Sequence, residues 1–166
     1  MAYTFSVEPA SLKRRFSVYV VVAANGKKSY IYVGKTGDNR EGCNPIISRC
    51  GNHFSYNNIH SQIRNKIANH ESHRYTYIFD HFGSYAPSAA RRRTSVDKIN
   101  EIERWLNSLI AELIKSRSSI ILLNPHKGAA WLSAAERKKR AVFRTPATKK
   151  KLAAIVSATK KRLGLK

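Results

Sequence analysis

Two tyrosines near the start of the chain are candidates for acid–base chemistry on a phosphate ester. Tyr19 ends the run Ser-Val-Tyr, and Tyr32 begins the run Tyr-Val-Gly that Lys35 follows. Hydrolysis of a phosphodiester needs a base for the attacking water and cations for the charged oxygens. A phenol has a reference pKa near 10 and acts as a base only where nearby cations lower that value. Lys35, Arg49 and a metal ion would supply such a field, although a strand tyrosine often serves only in packing.

An arginine and a histidine four residues apart form a second candidate group. Arg49 and His53 fall on one face of a helix at this spacing. Arg49 is suited to charge-assisted bonds with the scissile phosphate, and Lys35 is also expected near phosphate. Arg40 competes with Arg49, but no histidine stands four residues after it. Other histidines compete with His53, namely His60, His70, His73 and His81.

Three glutamates on one predicted helix are candidates for a metal ligand. At roughly 100 degrees per residue, Glu103 lies about 60 degrees from Leu106, the centre of the apolar face. Glu101 and Glu112 lie about 140 and 120 degrees away, so both are expected to be solvated. Glu103 is therefore preferred, and Glu112 stays open because it lies closer in sequence to Asn124. One carboxylate with phosphate oxygens and waters suits Mg2+, with Mn2+ as an alternative.

A β-hairpin must position the tyrosines, because β-branched residues dominate two runs that flank the turn pair Asn25-Gly26. An exposed loop is expected at 36–45. Strands are predicted at 16–23, 29–34, 74–81 and 120–123, and helices at 46–50, 59–69 and 97–115, the last capped by Ser95. The run 120–123 is expected to be a central strand. Asn124 follows it, either to orient a phosphate or only to end the strand before Pro125.

This order of elements predicts an α+β fold, in which helices cover a small mixed or antiparallel sheet of three to four strands. Residues 83–95 are expected to form a basic loop because Gly, Pro and Ser interrupt the pattern there. Arg91, Arg92 and Arg93 stand in succession in this loop. They are expected either to clasp DNA phosphates or to be simply solvated.

The C-terminal part of the chain differs in charge from the rest. From Ser133 onward, twelve basic residues face a single acid, Glu136. Helices are predicted at 133–142 and 146–163, the second with Thr145 as N-cap and Pro146 at its first position. We expect a core at 1–128 and a basic helical arm at 129–166 that packs weakly on the core and binds DNA. The expected contacts are Lys138, Lys139, Arg140, Lys149, Lys150 and Lys151.

The composition indicates a polyanionic partner. Lys and Arg number 31 against 10 Asp and Glu, a formal net charge of +21. Such an excess is rewarded on a phosphate backbone by the release of counterions. No segment approaches the roughly 20 apolar residues of a membrane span, and none has the form of a signal peptide, so a cytoplasmic protein is expected. Cys43 and Cys50 lack the spacing of a zinc site or a disulfide framework.

Taken in order, the runs SVY and YVGKT, the pair Arg49-xxx-His53, the glutamate-bearing helix and the ending LLNP resemble the GIY-YIG nuclease family over residues 16–124. Ser17 replaces the glycine of the first motif, and Val18 and Val33 replace the isoleucines of the two motifs. The connection from Gly34 to Arg49 is also long for the family. The resemblance implies that Tyr19 takes the proton of the attacking water and that His53 accepts it onward. It also implies that Tyr32 binds a phosphate oxygen and that Glu103 holds the metal.

The family resemblance implies a metal-dependent DNA endonuclease that leaves 5′-phosphate and 3′-hydroxyl ends. A small core with a basic arm is most like a type II restriction endonuclease that cuts double-stranded DNA at a short site. Cutting both strands of a palindrome would favour a homodimer. The alternatives are a structure-selective repair or recombination nuclease, a homing nuclease, or a nucleic-acid-binding protein without catalysis.

Overall fold

A mixed sheet of four strands forms the centre of the protein. The computed structural model describes residues 2–26, 28–37, 44–85, 88–126 and 132–165, without the side chains of residues 89 and 90. Strands β1 (Arg15–Ala24), β2 (Ser29–Lys35), β3 (Arg74–Ser84) and β4 (Ile120–Leu122) lie in the order β3-β1-β2-β4. β1 pairs antiparallel with β2 and β3, whereas β2 and β4 are parallel. The predicted α+β class and mixed sheet are confirmed; Arg40 and Cys43 lie outside the described residues.

The predicted hairpin of β1 and β2 is confirmed. Gly26 at its turn has a φ of 87°, a left-handed value that glycine adopts at little cost. A β-bulge interrupts the pairing of β1 with β3 between Phe16 and Ser17. Ser17 is fully buried there, and its hydroxyl lies 2.8 Å from Nδ1 of His81. Ser17 therefore has a polar partner within the sheet.

Helices cover both faces of the sheet. The described helices are α1 (Ile46–Phe54), α2 (Ala89–Ile114), α3 (Ala134–Arg140) and α4 (Pro146–Arg162). Since alternate strand residues point to opposite faces, β1 supplies two apolar clusters. Val18, Val20 and Val22 pack with α2 and α4, whereas Tyr19 and Val21 pack on the opposite face with α1. None of the described helices is long and apolar enough to cross a membrane.

The prediction of a helix at 59–69 is wrong. Ile63 and Ile67 are buried as the spacing suggests, but Ile59 is 74% exposed. Side chains here compete with helical hydrogen bonds, since Asn57 Oδ1 accepts from the backbone amides of Ile59 and His60. Two 3-10 turns take the place of a helix along this part of the chain, at Arg64–Lys66 and His70–Ser72.

The basic loop predicted at 83–95 and the cap at Ser95 are also wrong. β3 continues to Ser84, and α2 begins at Ala89. Ser88 is the cap, because its hydroxyl accepts a hydrogen bond from the Arg91 amide at 3.4 Å. Alanine and arginine are good helix formers, so the run Arg91–Arg93 continues the helix instead of ending it.

The last strand lies at the edge of the sheet, not at its centre. Among the described strands, β4 pairs with β2 alone, Ser29 opposite Ile120 and Ile31 opposite Leu122. The apolar run that suggested a central strand instead packs toward α2, since Ile120 and Leu122 join the cluster beneath that helix. Ile121, which points the other way, is 39% exposed.

The last helix, α4, packs in the core, so the prediction of weak packing is wrong for this helix. α3 has no buried residue. Thr145 caps α4 as predicted, with its side chain accepting from the Thr148 amide. Leu152 is fully buried and Ile155 is 3% exposed, both in the cluster that includes β1 and α2. The apolar stripe of α4 therefore outweighs its charge in deciding where the helix lies.

Ion pairs add to this packing. Arg140 contacts Asp97 at 3.1 Å, Arg144 contacts Glu101 at 2.7 Å, and Lys151 contacts Asp80 at 3.1 Å. Each pair joins the C-terminal region to α2 or β3. Removing residues after Ser133 would therefore open the core rather than detach a DNA-binding element.

Truncation of Leu152 tests whether α4 belongs to the core. Leu152→Ala should lower the free energy of unfolding by roughly 2–5 kcal/mol, because it leaves a cavity in a fully buried cluster. Urea denaturation measures the loss. The matched control is the exposed neighbour Lys150→Ala, for which a change within about 0.5 kcal/mol is expected. Equal effects of the two substitutions would show that α4 is loosely attached.

Candidate active site

A polar cavity of about 180 Å³ brings together six of the seven predicted catalytic residues. They come from β1, β2, α1 and α2, and they are Tyr19, Tyr32, Lys35, Arg49, His53 and Glu103. Asn52, Ile59, His60 and Gln62 complete the described lining. Residues separated by more than eighty positions in sequence thus meet in one place.

Gly34 makes room for the Tyr19 ring. The two residues are partners across the β1–β2 ladder. A Cβ built on Gly34 would lie 2.5 Å from both Cζ and Oη of Tyr19, a distance that no side chain tolerates. The glycine is therefore required by space, and it lets a tyrosine that is only 2% exposed lie flat against the sheet.

Tyr19 belongs to a chain of hydrogen bonds through His53. Tyr19 Oη lies 3.1 Å from His53 Nε2, and Tyr77 Oη lies 2.8 Å from His53 Nδ1. Burial raises the pKa of Tyr77 well above its ordinary range, so this phenol keeps its proton. His53 therefore sits between two phenols, one at the cavity and one behind it.

The pair Arg49 and His53 lies on α1, as the four-residue spacing predicted, and both side chains reach the cavity. Burial, with a smaller effect of the Arg49 charge, lowers the pKa of His53 from 6.5 to about 4. The imidazole is therefore neutral at neutral pH. One of its nitrogens then donates a hydrogen bond while the other accepts one.

Glu103 contacts Lys35 across the cavity wall. Lys35 Nζ lies 3.1 Å from Glu103 Oε2, and their side chains are 16% and 26% exposed. The cavity therefore contains a carboxylate, and Lys35 lines the cavity beside that carboxylate. An ion pair this poorly solvated holds both groups in place more firmly than a surface pair would.

The other two glutamates point away from the cavity. Glu112 is solvated as predicted, with its side chain 75% exposed. Glu101 is only 4% exposed, so the expectation that it is solvated is wrong. Arg144 covers it, donating to Glu101 Oε1 at 2.9 Å from Nε. The helical-wheel estimate could not include this partner, which lies forty-three residues away in sequence.

Asn124 does not line this cavity, and its side chain extends the sheet. Its Oδ1 accepts from the Val33 amide at 3.1 Å, and its Nδ2 donates to the Val33 carbonyl at 2.7 Å. The side-chain amide thus continues the β2–β4 ladder beyond the end of β4. The structure supports the alternative of a local role rather than a phosphate contact.

The nine predicted DNA contacts lie on three helices. Arg91–Arg93 are in the first turns of α2, and the others are on α3 and α4. Lys138, Lys139, Lys149 and Lys150 are exposed. Arg140 and Lys151 instead pair with acids of the core, so their charge is largely compensated.

Sequence reasoning missed two contributors to the site. Tyr77 lies among alternating aromatic residues of β3, and nothing in that run distinguishes it from its packing neighbours Tyr75 and Phe79. The side chain of Cys50 forms a hydrogen bond with that of Tyr77, and burial raises the pKa of the Cys50 thiol. The β-strand alternation alone would have placed Tyr77 on the same face as Tyr75, but not beneath His53.

No protein-family model, curated protein or solved structure matches this chain. The functional assignment therefore depends on the residues of the site.

Substitution of Gly34 tests the close contact with Tyr19. Gly34→Ala should lower the free energy of unfolding by roughly 1–3 kcal/mol, because the added methyl overlaps the ring and the core must shift. Urea denaturation measures it. Gly51→Ala is the matched control, since a Cβ there meets nothing within 4 Å and Gly51 lies inside α1. Alanine should stabilise that helix by about 0.5–1 kcal/mol. A stable Gly34→Ala protein would contradict the contact.

The lowered pKa of His53 predicts a pH dependence of stability. As pH falls from 6.5 toward 4, the unfolded chain binds a proton at His53 that the folded protein does not, so acid favours unfolding. Relative to His53→Gln, the wild-type protein should lose on the order of 2 kcal/mol between pH 7 and pH 4.5. Urea denaturation of both proteins at several pH values measures this difference. Parallel pH profiles would show that His53 titrates normally in the folded state.

Proposed function

We propose that this protein is a metal-dependent DNA endonuclease of the GIY-YIG type, most like the small type II restriction enzymes. The observation that carries the proposal is the meeting of Tyr19, Arg49, His53 and Glu103 in one polar cavity. These residue types supply a base, a cation for phosphate, a proton acceptor and a metal ligand. A chain of net charge +21 suits double-stranded DNA as the substrate.

In the proposed reaction, Tyr19 takes a proton from the attacking water. His53 is the residue that can receive the phenolic proton, because Nε2 lies 3.1 Å from Tyr19 Oη and the ring is neutral. Acceptance at Nε2 requires that Nδ1 carries the hydrogen and donates it to Tyr77.

Arg49 and Lys35 bind the scissile phosphate in this proposal. Arg49 can use two N–H groups for two phosphate oxygens, whereas Lys35 acts as a point charge. The ion pair with Glu103 at 3.1 Å keeps Lys35 at the cavity, where it would contact the phosphate. Tyr32 also lines the cavity, with its ring centroid 5.1 Å from that of His53, and in this proposal its phenol would donate to a phosphate oxygen.

The donor set fits a hard divalent cation. Among the described residues, no three His, Cys, Asp or Glu side chains group to hold a metal by themselves. Glu103 alone would hold Mg2+ or Mn2+ together with phosphate oxygens and waters, the coordination that Mg2+ commonly adopts at phosphate-transfer sites. The ion would neutralise charge that develops on the phosphate during cleavage.

A homodimer would cut both strands of a palindromic site, since each chain supplies one set of these residues. The exposed lysines of α3 and α4 form a basic C-terminal surface that would contact the DNA backbone. They are Lys138, Lys139, Lys149 and Lys150.

Substitution of the carboxylate tests the proposal. Glu103→Gln should abolish Mg2+-dependent cleavage of supercoiled plasmid, with a loss of at least about a hundredfold, because one ligand and its charge are removed. DNA binding should be retained or improved, because a negative charge near phosphate is lost. Gel assays of cleavage and of mobility shift measure the two effects.

Glu112→Gln is the matched control, since this glutamate lies on the same helix but is solvated. It should cleave like the wild type. Full activity of Glu103→Gln with loss in Glu112→Gln would show that the wrong acid was chosen.

A mobility shift without cleavage in the wild type would favour a binding protein without catalysis. Sequencing the cut ends separates a restriction enzyme, which returns one short sequence, from a repair or homing nuclease.

A further inference from the structure

The segment after α1 presents apolar side chains to solvent at the edge of the candidate active site. Residues 56–60 are all exposed. Tyr56 is 83% exposed and Ile59 is 74% exposed, yet Ile59 also lines the polar cavity. Most of the isoleucine surface therefore faces the side from which a substrate would approach.

Hydrogen bonds fix this loop in its exposed form. Asn57 Oδ1 accepts from the Ile59 amide at 2.8 Å and from the following amide at 3.1 Å. Gln62 Nε2 donates to the Ile59 carbonyl at 2.9 Å. Both backbone polar groups of Ile59 are thus bonded by side chains of the loop. The side chain is presented by a built turn, at the cost of leaving an isoleucine in water.

The charge of the loop and its neighbours indicates an anionic partner. No acidic residue occurs between Glu41 and Glu71 in the sequence. The guanidinium of Arg64 lies over the Tyr56 ring at 4.6 Å, and the Lys66 ammonium lies 5.9 Å from the Tyr32 ring. The loop and these neighbours therefore carry cations and amides without a carboxylate, and Glu103 in the adjoining cavity is paired with Lys35. Such a surface complements a nucleic acid and disfavours a basic partner such as a second copy of this chain.

We propose that the loop Ser55–Gln62 enters the DNA duplex beside the cleaved bond, with Ile59 against a base step and Asn58 at a base edge. This inference rests on the proposed function, because the scissile phosphate would occupy the cavity that Ile59 borders. Isoleucine is among the apolar side chains that proteins insert between base steps. Asparagine pairs with base edges through its side-chain amide. Asn58 is exposed, and its backbone carbonyl, which accepts from Asn65 Nδ2 at 2.9 Å, fixes its place in the loop.

The test selects bound sequences from a pool of short DNA duplexes with a randomised centre, using Glu103→Gln protein without divalent metal. Ile59→Ser and Asn58→Ala are added to this parent. The Ile59→Ser protein should bind the parent's selected duplex about tenfold more weakly, a change of ~1.4 kcal/mol. The slope of affinity against salt should not change, since Ile59 neutralises no phosphate. Asn58→Ala should relax the preference at a single base position.

Val142→Ser is the matched control, because Val142 is an aliphatic residue 69% exposed in the C-terminal region. It should keep the parent's affinity and selected sequence. Thermal denaturation checks that every variant is folded. Unchanged affinity and selected sequence in both Ile59→Ser and Asn58→Ala would overturn the proposal. So would a shift of oligomeric state in Ile59→Ser with DNA binding intact, which would assign the loop to a dimer contact.

Failure of the loop inference and failure of the proposed function give different results. A wild-type protein that cleaves plasmid at sites unaffected by Ile59→Ser and Asn58→Ala is a nuclease that reads DNA elsewhere. A protein whose selected sequence depends on Ile59 but which never cleaves with Mg2+ uses the loop for DNA binding alone. The first result overturns the loop inference, and the second supports it without catalysis.

Discussion

The contact between Tyr19 and Gly34 determines where the site can form. Because Gly34 has no side chain, the Tyr19 ring lies against the neighbouring strand and its hydroxyl reaches His53. The ring then serves two purposes, since it is a core residue of the smaller apolar cluster and also lines the polar cavity. α1 must pack over this ring, and in doing so it brings Arg49 and His53 to the same place. A Cβ at position 34 would force the Tyr19 ring to shift, and with it the contact of its hydroxyl with His53.

Several of the few acidic residues of this basic protein form ion pairs that attach the C-terminal region to the rest of the fold. Of ten Asp and Glu residues, Asp80, Asp97 and Glu101 pair with cations of the C-terminal region. Glu103 is the acid at the candidate active site. These ion pairs compensate the charges of Arg140, Arg144 and Lys151, whereas most lysines of α3 and α4 are exposed. The same region therefore contributes to the core through one set of side chains and presents positive charge through another.

Much of the fold followed from local patterns, because strands and hairpins leave short-range signals. The β1–β2 hairpin was predicted from its β-branched runs and turn pair, and the common face of Arg49 and His53 from their four-residue spacing. The angle of Glu103 to the apolar face selected the one glutamate of the three that lines the cavity. The errors have a common physical cause, which is competition from partners distant in sequence or from side chains that bond the backbone. The side chain of Asn57 bonds the backbone where a helix was predicted, and a turn forms instead. Arg144 covers Glu101, which a helical wheel places in solvent. Tyr77 could not be singled out, because its importance comes only from its position behind His53.

The charge balance of the cavity favours an anionic ligand even before a metal is considered. His53 is neutral, so the charged groups of the predicted set are Lys35, Arg49 and Glu103, with a net charge of one positive unit. A phosphodiester carries one negative charge and would make the occupied cavity neutral. In the free protein at neutral pH, burial keeps His53 uncharged, so it adds no third cation to Lys35 and Arg49. A divalent ion would instead require further negative charge, which the substrate supplies better than the protein does. Under the proposed function, the metal would therefore bind more tightly in the presence of DNA than to the free protein.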